Sequence, residues 1–306
     1  MISIIIPVKN DRKIEGTLKS IEKIKKPQKT EIIVVDASKK ETLLDIRQKF
    51  PKVRWIYYDN KTGKKITIPE QRNLGIKKCK GDLIAFIDAD CIPDKNWLVE
   101  LYSCIEEGEE YVTGKVLSVG ISQFYDSNWE KFEKMKYRQD AGSANTLFNK
   151  KIIEKVGYYD ENFDYGSDVE FSWRVVDAGY KIRYNPKAIM HDNWGGFKTD
   201  IKRALRWGKA RPNLYRKHPN RLSNVLKFNS DLYTLYSLGF FFYVLLIPVM
   251  TFIWPYYPLL LLIPLIKNIK INPFKKMVFD WFWGLGIIAG LINLIFKKEH
   301  HDPNTS

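Results

Sequence analysis

The chain is poor in the residues that make disulfide frameworks or zinc centres. Its 306 residues include three cysteines and four histidines. Cys79, Cys91 and Cys104 are an odd set with no C-x-x-C spacing, which argues against both kinds of site. Small, reduced core residues in a chain facing the cytosol are expected instead. Acidic residues are also scarce beside basic ones, 35 against 50, for a formal net charge of +15. That surplus calls for an anionic partner. No signature of nucleic-acid binding accompanies it, so no nucleic-acid partner is expected. No internal repeat is evident. No cleavable leader is expected either, because Met1 to Val8 is too short for an h-region and follows no basic n-region.

What is present suits a folded protein: 45% of residues are hydrophobic and 28% charged, unlike a disordered chain. The length fits one large domain, or one domain with an appendage. The positive charge is concentrated. Between Lys198 and Lys227 stand Lys198, Lys202, Arg203, Arg206, Lys209, Arg211, Arg216, Lys217, Arg221 and Lys227, opposed only by Asp200. An apolar run follows directly, and a basic segment beside an apolar one reads as the cytoplasmic flank of a membrane segment.

From Leu232 to Ile266 no residue is charged. One spanning helix needs about 20 apolar residues, so this run is longer than one span and short for two. Pro248, Pro255, Pro258 and Pro264 are expected to break it, leaving a tight hairpin or a re-entrant arrangement. A second apolar segment runs from Trp281 to Phe296. The division expected is a catalytic domain over residues 1–227, a membrane-anchoring region over 228–299 and a polar tail over 300–306.

The first hundred residues read as an open α/β sheet. Residues 2–8 and 31–36 are β-branched runs of the kind found in buried parallel strands. Between them Ile14, Leu18, Ile21 and Ile24 recur at helical spacing, completing a βαβ unit. A helix over 43–50, a strand over 53–58, a helix over 70–79 and a strand over 83–88 continue the pattern. Ligands of such sheets bind at the carboxyl ends of strands, where Asp36 and Asp88 fall. Residues 112–189 are expected to extend the same sheet.

Three local patterns suggest chemistry. Asp88-Ala-Asp90 follows the apolar strand Leu83 to Ile87, and two carboxylates at such a turn can meet one hard cation, magnesium or manganese. Asp168 and Glu170 lie in Tyr165-Gly-Ser-Asp-Val-Glu170. Asp168 is placed to take a proton from an acceptor hydroxyl. Ser167 and Glu170 have the spacing of an N-terminal capping box. His191, after Ala188-Ile-Met190, can serve a metal or phosphate.

Taken in order, the motifs resemble those of the family 2 glycosyltransferases. Ser3-Ile-Ile-Ile-Pro-Val-Lys9 resembles the family's opening strand and Val34-Val-Asp-Ala-Ser38 its nucleotide motif. Gln71-Arg-Asn-Leu-Gly75 resembles its Arg-Asn-x-Gly helix, and Phe86-Ile-Asp-Ala-Asp90 its metal motif. Gly142-Ser-Ala-Asn145 resembles its acceptor-side loop, and Val156 to Phe163 with Ser167 to Arg174 the region of its base. The resemblance covers roughly the first 210 residues. It implies a GT-A fold, Rossmann-like, with a mostly parallel sheet flanked by helices. It also implies an inverting transfer from a nucleotide-diphosphate sugar. Pro7, Asp36, Arg72, Asp88 and Asn145 would bind that donor, Asp90 and His191 would hold Mn2+ or Mg2+, and Asp168 would be the base.

Two departures stand out: Ala37 occupies a position that is often acidic in the family, and Ser167 one that is often Glu. Arg206-Trp207 resembles the end of a motif of processive members, but Arg203 stands where that motif has Gln, so processivity is not inferred. The expected acceptor is a lipid-linked glycan or surface polysaccharide. A polyprenyl-phosphate sugar synthase is the alternative of the same class, and a non-catalytic membrane-bound binder of nucleotides or polyanions that of another.

Overall fold

In the computed structural model the described residues are 1–39, 41–58, 66–120, 135–163, 165–227, 231–269 and 272–296. The tail expected over residues 300–306 lies outside them. The chain forms two compact units, the first ending at Trp194 and the second running from Gly195.

The first unit is built on a mixed sheet. Strands β1 (Ile2–Val8), β2 (Thr30–Asp36), β3 (Arg54–Tyr57) and β4 (Leu83–Phe86) are parallel in the order β3-β2-β1-β4. The antiparallel half is made of β5 (Cys91–Pro93), β6 (Tyr111–Gly120), β7 (Tyr137–Arg138), β8 (Thr146–Asn149) and β9 (Ile182–Gly195). Beyond β4 the order is β8-β6-β9-β5, with β7 paired to β9. Residues 111–195 thus extend the sheet begun by the first hundred, as expected.

Helix α1 (Ile14–Lys23) follows β1, α2 (Leu44–Lys49) follows β2, and α3 (Ile68–Lys78) follows β3. Helices α4 (Trp97–Glu106), α5 (Lys151–Val156) and α6 (Ser167–Asp177) complete the unit. Strand β1 is central and wholly buried. Its side chains alternate between two cores, as the two-residue pleat dictates. Ile2, Ile4 and Ile6 pack with α1 and α4 residues such as Leu18 and Leu98. Ile5 packs on the other face with Val35, Ile76 and Phe171. Proline is tolerated at Pro7 because the pairing of β1 with β4 stops at Ile5, so that edge needs no donor there. The three cysteines are free and buried, as the sequence suggested.

The second unit is helical: α7 (Phe197–Lys217), α8 (Pro219–Leu226), α9 (Leu232–Ile253), α10 (Leu262–Lys267) and α11 (Pro273–Phe296). Helices α9 and α11, of 22 and 24 residues, are long and apolar enough to cross a membrane. One expectation needs correction. Pro248 does not break α9 but lies inside it; the chain turns at Trp254 and Pro255 instead. The helix that holds the second apolar segment begins earlier, at Pro273, where Lys276 and Asp280 pair across one turn and each bonds the Tyr233 hydroxyl. Of the three charges there, Lys275, Lys276 and Asp280, two form a buried ion pair in the folded unit.

After the turn the chain runs back beside α9. The Tyr243 hydroxyl donates to the Tyr257 carbonyl at 3.0 Å, and Lys267 Nζ lies 5.5 Å from the centroid of the Tyr236 ring. Helices α7 and α11 touch backbone to backbone: a Cβ on Gly208 would stand 2.1 Å from the Trp283 carbonyl oxygen, and one on Gly286 2.4 Å from that of Leu205.

Candidate active site

The carboxyl ends of β1, β2 and β4 carry the predicted residues. Asp36 closes β2, and its Oδ1 accepts the Ser38 amide at 2.8 Å. It helps line a cavity of about 390 Å3 together with Lys39, Leu43, Arg47 and Tyr57. Pro7 is buried one residue before the end of β1.

Helix α3 brings Arg72 to the end of β4. It starts with a full capping box, Thr67 with Glu70, and Pro69 in its first turn. Gly75 lets it lie directly on β1, since a Cβ there would stand 2.4 Å from Ile5 Cγ2. Arg72 is 5% exposed, its guanidinium 5.6 Å from the Tyr159 ring centroid and 5.8 Å from that of Phe86. Its Nη2 donates to Asp88 Oδ1 at 3.3 Å. Among the described residues its buried Nε has no hydrogen-bond partner, so the side chain retains donor capacity.

Asp90 lies deeper than Asp88. Burial, and then the charge of Asp88, push its pKa upward, with Lys13 pulling the other way; Lys13 Nζ is 3.7 Å from Asp90 Oδ2. Antiparallel pairing of β5 with β9 sets Cys91 opposite Asp192. One ligand atom from each of Asp90, Cys91 and Asp192 lies within 4.8 Å of the others. Burial and the surrounding carboxylates Asp88, Asp192 and Asp90 drive the Cys91 thiol far up, so without a metal it is a neutral thiol. A donor set of two carboxylates, one of them held at a raised pKa beside a second negative charge, fits a hard divalent cation.

His191 is one residue from Asp192 but pairs opposite Ile92, which turns it to the other face of the ribbon. Its Nε2 lies 2.8 Å from Asp94 Oδ1. The structure therefore brings Asp192, and not His191, to Asp90. The sequence reading missed Asp192, although it stands beside a residue already singled out.

Asp168 sits in the first turn of α6. The cap differs from the expected box. Gly166, in the left-handed region at φ 78°, is the N-cap, and no side chain caps the helix. Ser167 is already helical, and Glu170 is fully buried against Arg174 at 2.8 Å. The Asp168 carboxylate accepts the Val169 amide at 2.9 Å, and a Cβ on Gly142 of the acceptor-side loop would stand 3.9 Å from its Oδ2. Burial raises the pKa of the Tyr111 and Tyr159 hydroxyls, and both also feel Asp168 and Arg72. Asp168 and Arg72 therefore bear on the same buried tyrosines.

Asn145 is 1% exposed and fully engaged by the fold. Its Oδ1 accepts Trp97 Nε1 at 2.7 Å, and its Nδ2 donates to the Lys115 and Ala188 carbonyls, each at 2.9 Å. It ties α4, β6 and β9 together behind the site.

A sheet with parallel and antiparallel halves, carboxylates at its carboxyl edge and a buried arginine beside them define a GT-A fold suited to a nucleotide-sugar enzyme. Residues 3–166 match the family model described as Glycosyl transferase family 2, and the chain belongs to that family; it is a glycosyltransferase. It is 29% identical over 226 residues to "Glycosyltransferase AglE" of Haloferax volcanii, covering 68% of this chain and 72% of the relative. It is 26% identical over 243 residues to "Dolichyl N-acetyl-alpha-D-glucosaminyl phosphate 3-beta-D-2,3-diacetamido-2,3-dideoxy-beta-D-glucuronosyltransferase" of Methanococcus voltae, covering 71% and 74%. Among solved structures it resembles residues 1–349 of S. aureus TarS with a TM-score of 0.50 at 17% identity, over 67% of this chain and 65% of that one, a likeness of fold alone.

Proposed function

We propose that this enzyme moves a sugar from a nucleotide-diphosphate donor to a lipid-linked glycan or surface polysaccharide, with inversion at the anomeric carbon. The observation that carries this reading is the buried Arg72, which bonds Asp88 at the end of β4, lies over the Tyr159 ring and, with Asp168, bears on the Tyr111 and Tyr159 hydroxyls. A phosphate-binding cation and a candidate base thereby share one pocket wall. Asp36 binds the nucleoside, Pro7 floors the donor site, and Arg72 meets the diphosphate with the donor capacity it has left. Asp88 faces the ribose or the metal. Asn145 supports the donor site from behind through its bonds to three elements. We assign Asp90 and Asp192 as oxygen ligands of Mg2+ or Mn2+; His191, on the other face of the ribbon, stays with Asp94 outside that donor set. The ion would supply charge neutralisation to the departing diphosphate. Asp168 takes the proton of the acceptor hydroxyl as that oxygen attacks.

The lipid-linked acceptor is favoured by the apolar second unit and by the dolichyl phosphate named for the Methanococcus relative. The basic stretch from Lys198 to Lys227 supports a catalytic unit on the cytoplasmic side.

The deciding variant is Asp168→Asn, which keeps size and one hydrogen-bonding oxygen but cannot accept a proton. Loss of a general base costs about 10²- to 10⁴-fold in rate, with nucleotide binding retained. Turnover equal to wild type would leave Asp168 a residue of the helix terminus only. Acceptor panels containing a polyprenyl phosphate beside a lipid-linked glycan separate the sugar-phosphate synthase from the glycan transferase.

A further inference from the structure

The residue after Arg72 holds the segment on which Tyr159 stands. Asn73 is 3% exposed and turned to the segment around Tyr159. Its Oδ1 accepts the Tyr159 amide at 2.9 Å, and its Nδ2 donates to the Tyr159 carbonyl and to Glu161 Oε1, both at 2.8 Å. One side chain thus takes both main-chain groups of a residue 86 positions away. The same segment is gripped from α6, where Arg174, held by Glu170, donates to the carbonyls of Val156 and Tyr158.

Tyr159 is the part of this segment that reaches the site. Its ring stacks on Phe171 of α6 at 4.3 Å and 19° and meets Phe86 of β4 edge-on at 5.8 Å. Arg72 lies over the same ring. Its hydroxyl is buried with no hydrogen-bond partner among the described residues, so packing and the Asn73 clamp hold the side chain. Phe171 is one turn from Asp168 on α6. The donor side, α3 with β4, and the base side, α6, therefore meet through a ring whose backbone is fixed by Asn73.

We infer that Asn73 is a positioning residue: by clamping Tyr159 it sets Asp168 in register with Arg72 and Asp88. The inference rests on the assignment of Asp168 as base. It follows from the arrangement that Asn73 affects the chemical step more than donor binding. Arg72, on the same helix, keeps its own support from Phe86 and Asp88, whereas α6 loses the contact that aligns it. Misplacement by about 1 Å can cost on the order of 100-fold in rate.

The test uses Asn73→Asp in the full chain. The aspartate still accepts from the Tyr159 amide, but it loses the bond to the Tyr159 carbonyl and sets a second carboxylate against Glu161. UDP-glucose, GDP-mannose and dTDP-glucose with Mn2+ serve as donor probes, read as nucleoside diphosphate release with water as acceptor and followed on whichever turns over. The expected result is a kcat at least 10-fold lower, a donor KM within about threefold of wild type, and faster hydrogen exchange across residues 157–171. Adding Glu161→Gln, whose amide donates to the new carboxylate, should recover part of kcat. Should kcat stay at the wild-type value, or fall only as far as KM rises, Asn73 is an ordinary fold contact and the inference fails. If Asn73→Asp does not fold, Glu161→Gln alone carries the test: it leaves both bonds to Tyr159, so kcat must stay within about twofold, and a larger loss overturns the clamp. Asp168→Asn run alongside separates the two readings. If it is as active as wild type, the base assignment has failed; if it is inactive while Asn73→Asp is normal, only the positioning has.

Discussion

Arg72 Nη2 and Asp88 Oδ1 are 3.3 Å apart, and only the aspartate end of the pair is exposed to any extent, 40% against 6% of the side chain. The arginine is a fixed element of the wall and the carboxylate is the movable one. In the proposed reading an incoming diphosphate competes with Asp88 for a guanidinium whose Nε has no partner among the described residues. Arg72→Lys keeps the charge but loses the planar fork and the stacking on Tyr159 and Phe86. The donor KM should rise about 10- to 100-fold, the worth of one or two charged hydrogen bonds. An unchanged KM in steady-state kinetics would show that the diphosphate sits elsewhere.

Asp90 gives a prediction with opposite signs for stability and activity. Its folded-state pKa is raised, first by burial and then by Asp88. Its charged form therefore weakens the metal-free fold, and stability falls as pH rises from the ordinary carboxylate range through the raised value. Asp90→Asn removes that cost above the raised pKa and changes nothing at pH below about 4. At neutral pH the variant should melt a degree or a few higher than wild type in EDTA, on the scale of about 2–4 °C per kcal/mol for a domain of this size. Added Mn2+ should raise the melting temperature of wild type but not of the variant, and transfer should be lost. Thermal melts with and without Mn2+ check both halves.

Gly75 is a packing requirement of the site. An alanine there gains about 1 kcal/mol of helix propensity. It also places a Cβ 2.4 Å from Ile5 Cγ2, in a fully buried position. Overpacking of this kind costs about 1–3 kcal/mol, so Gly75→Ala should be net destabilising by denaturant unfolding and should displace Arg72. Combined with Ile5→Ala, the two costs should sum to less than their separate values, because the second change removes the atom that the first one meets.

Much of this was legible in the sequence for a physical reason. Buried parallel strands need continuous β-branched runs, so β1, β2 and β4 stand out, and the aspartates after β2 and β4 fall at strand ends by simple counting. The Arg-Asn-x-Gly order carries a packing rule as well, since the glycine sets how closely the arginine approaches the strand. Other features depend on partners distant in sequence. The Asn73 clamp on Tyr159 has no local signal. Asp192 joins Asp90 only through the β5–β9 register, and a one-residue slip would have presented His191 instead. The expected cap at Ser167 failed because Glu170 is taken by Arg174. Pro248 sits within α9 at the loss of one backbone bond, the one an N–H at that position would give to the Val244 carbonyl.

The last expectation concerns the apolar run. After α9 the chain returns, bringing Tyr257 to Tyr243 and Lys267 to the Tyr236 ring. Lys267 therefore lies near the start of α9 and not beyond its end. Leu245, Val249, Phe252, Ile253, Tyr256 and Ile263 at the far end are all exposed, Phe252 by 93%. An apolar tip of that kind fits our reading of a membrane segment, and α9 at roughly 33 Å is long enough to reach across the hydrocarbon. A hairpin with its tip in the bilayer keeps Lys267 on the side of the basic Lys198 to Lys227 stretch, in keeping with the excess of Lys and Arg on cytoplasmic flanks. Single cysteines in a background lacking Cys79, Cys91 and Cys104 test the geometry in sealed inverted vesicles. Asn268→Cys and Asn224→Cys should both react with a charged maleimide from the cytoplasmic face, and Phe252→Cys should react from neither. Labelling of Asn268→Cys only from the opposite face would make α9 a full crossing, and labelling of Phe252→Cys by the aqueous reagent would take the tip out of the membrane.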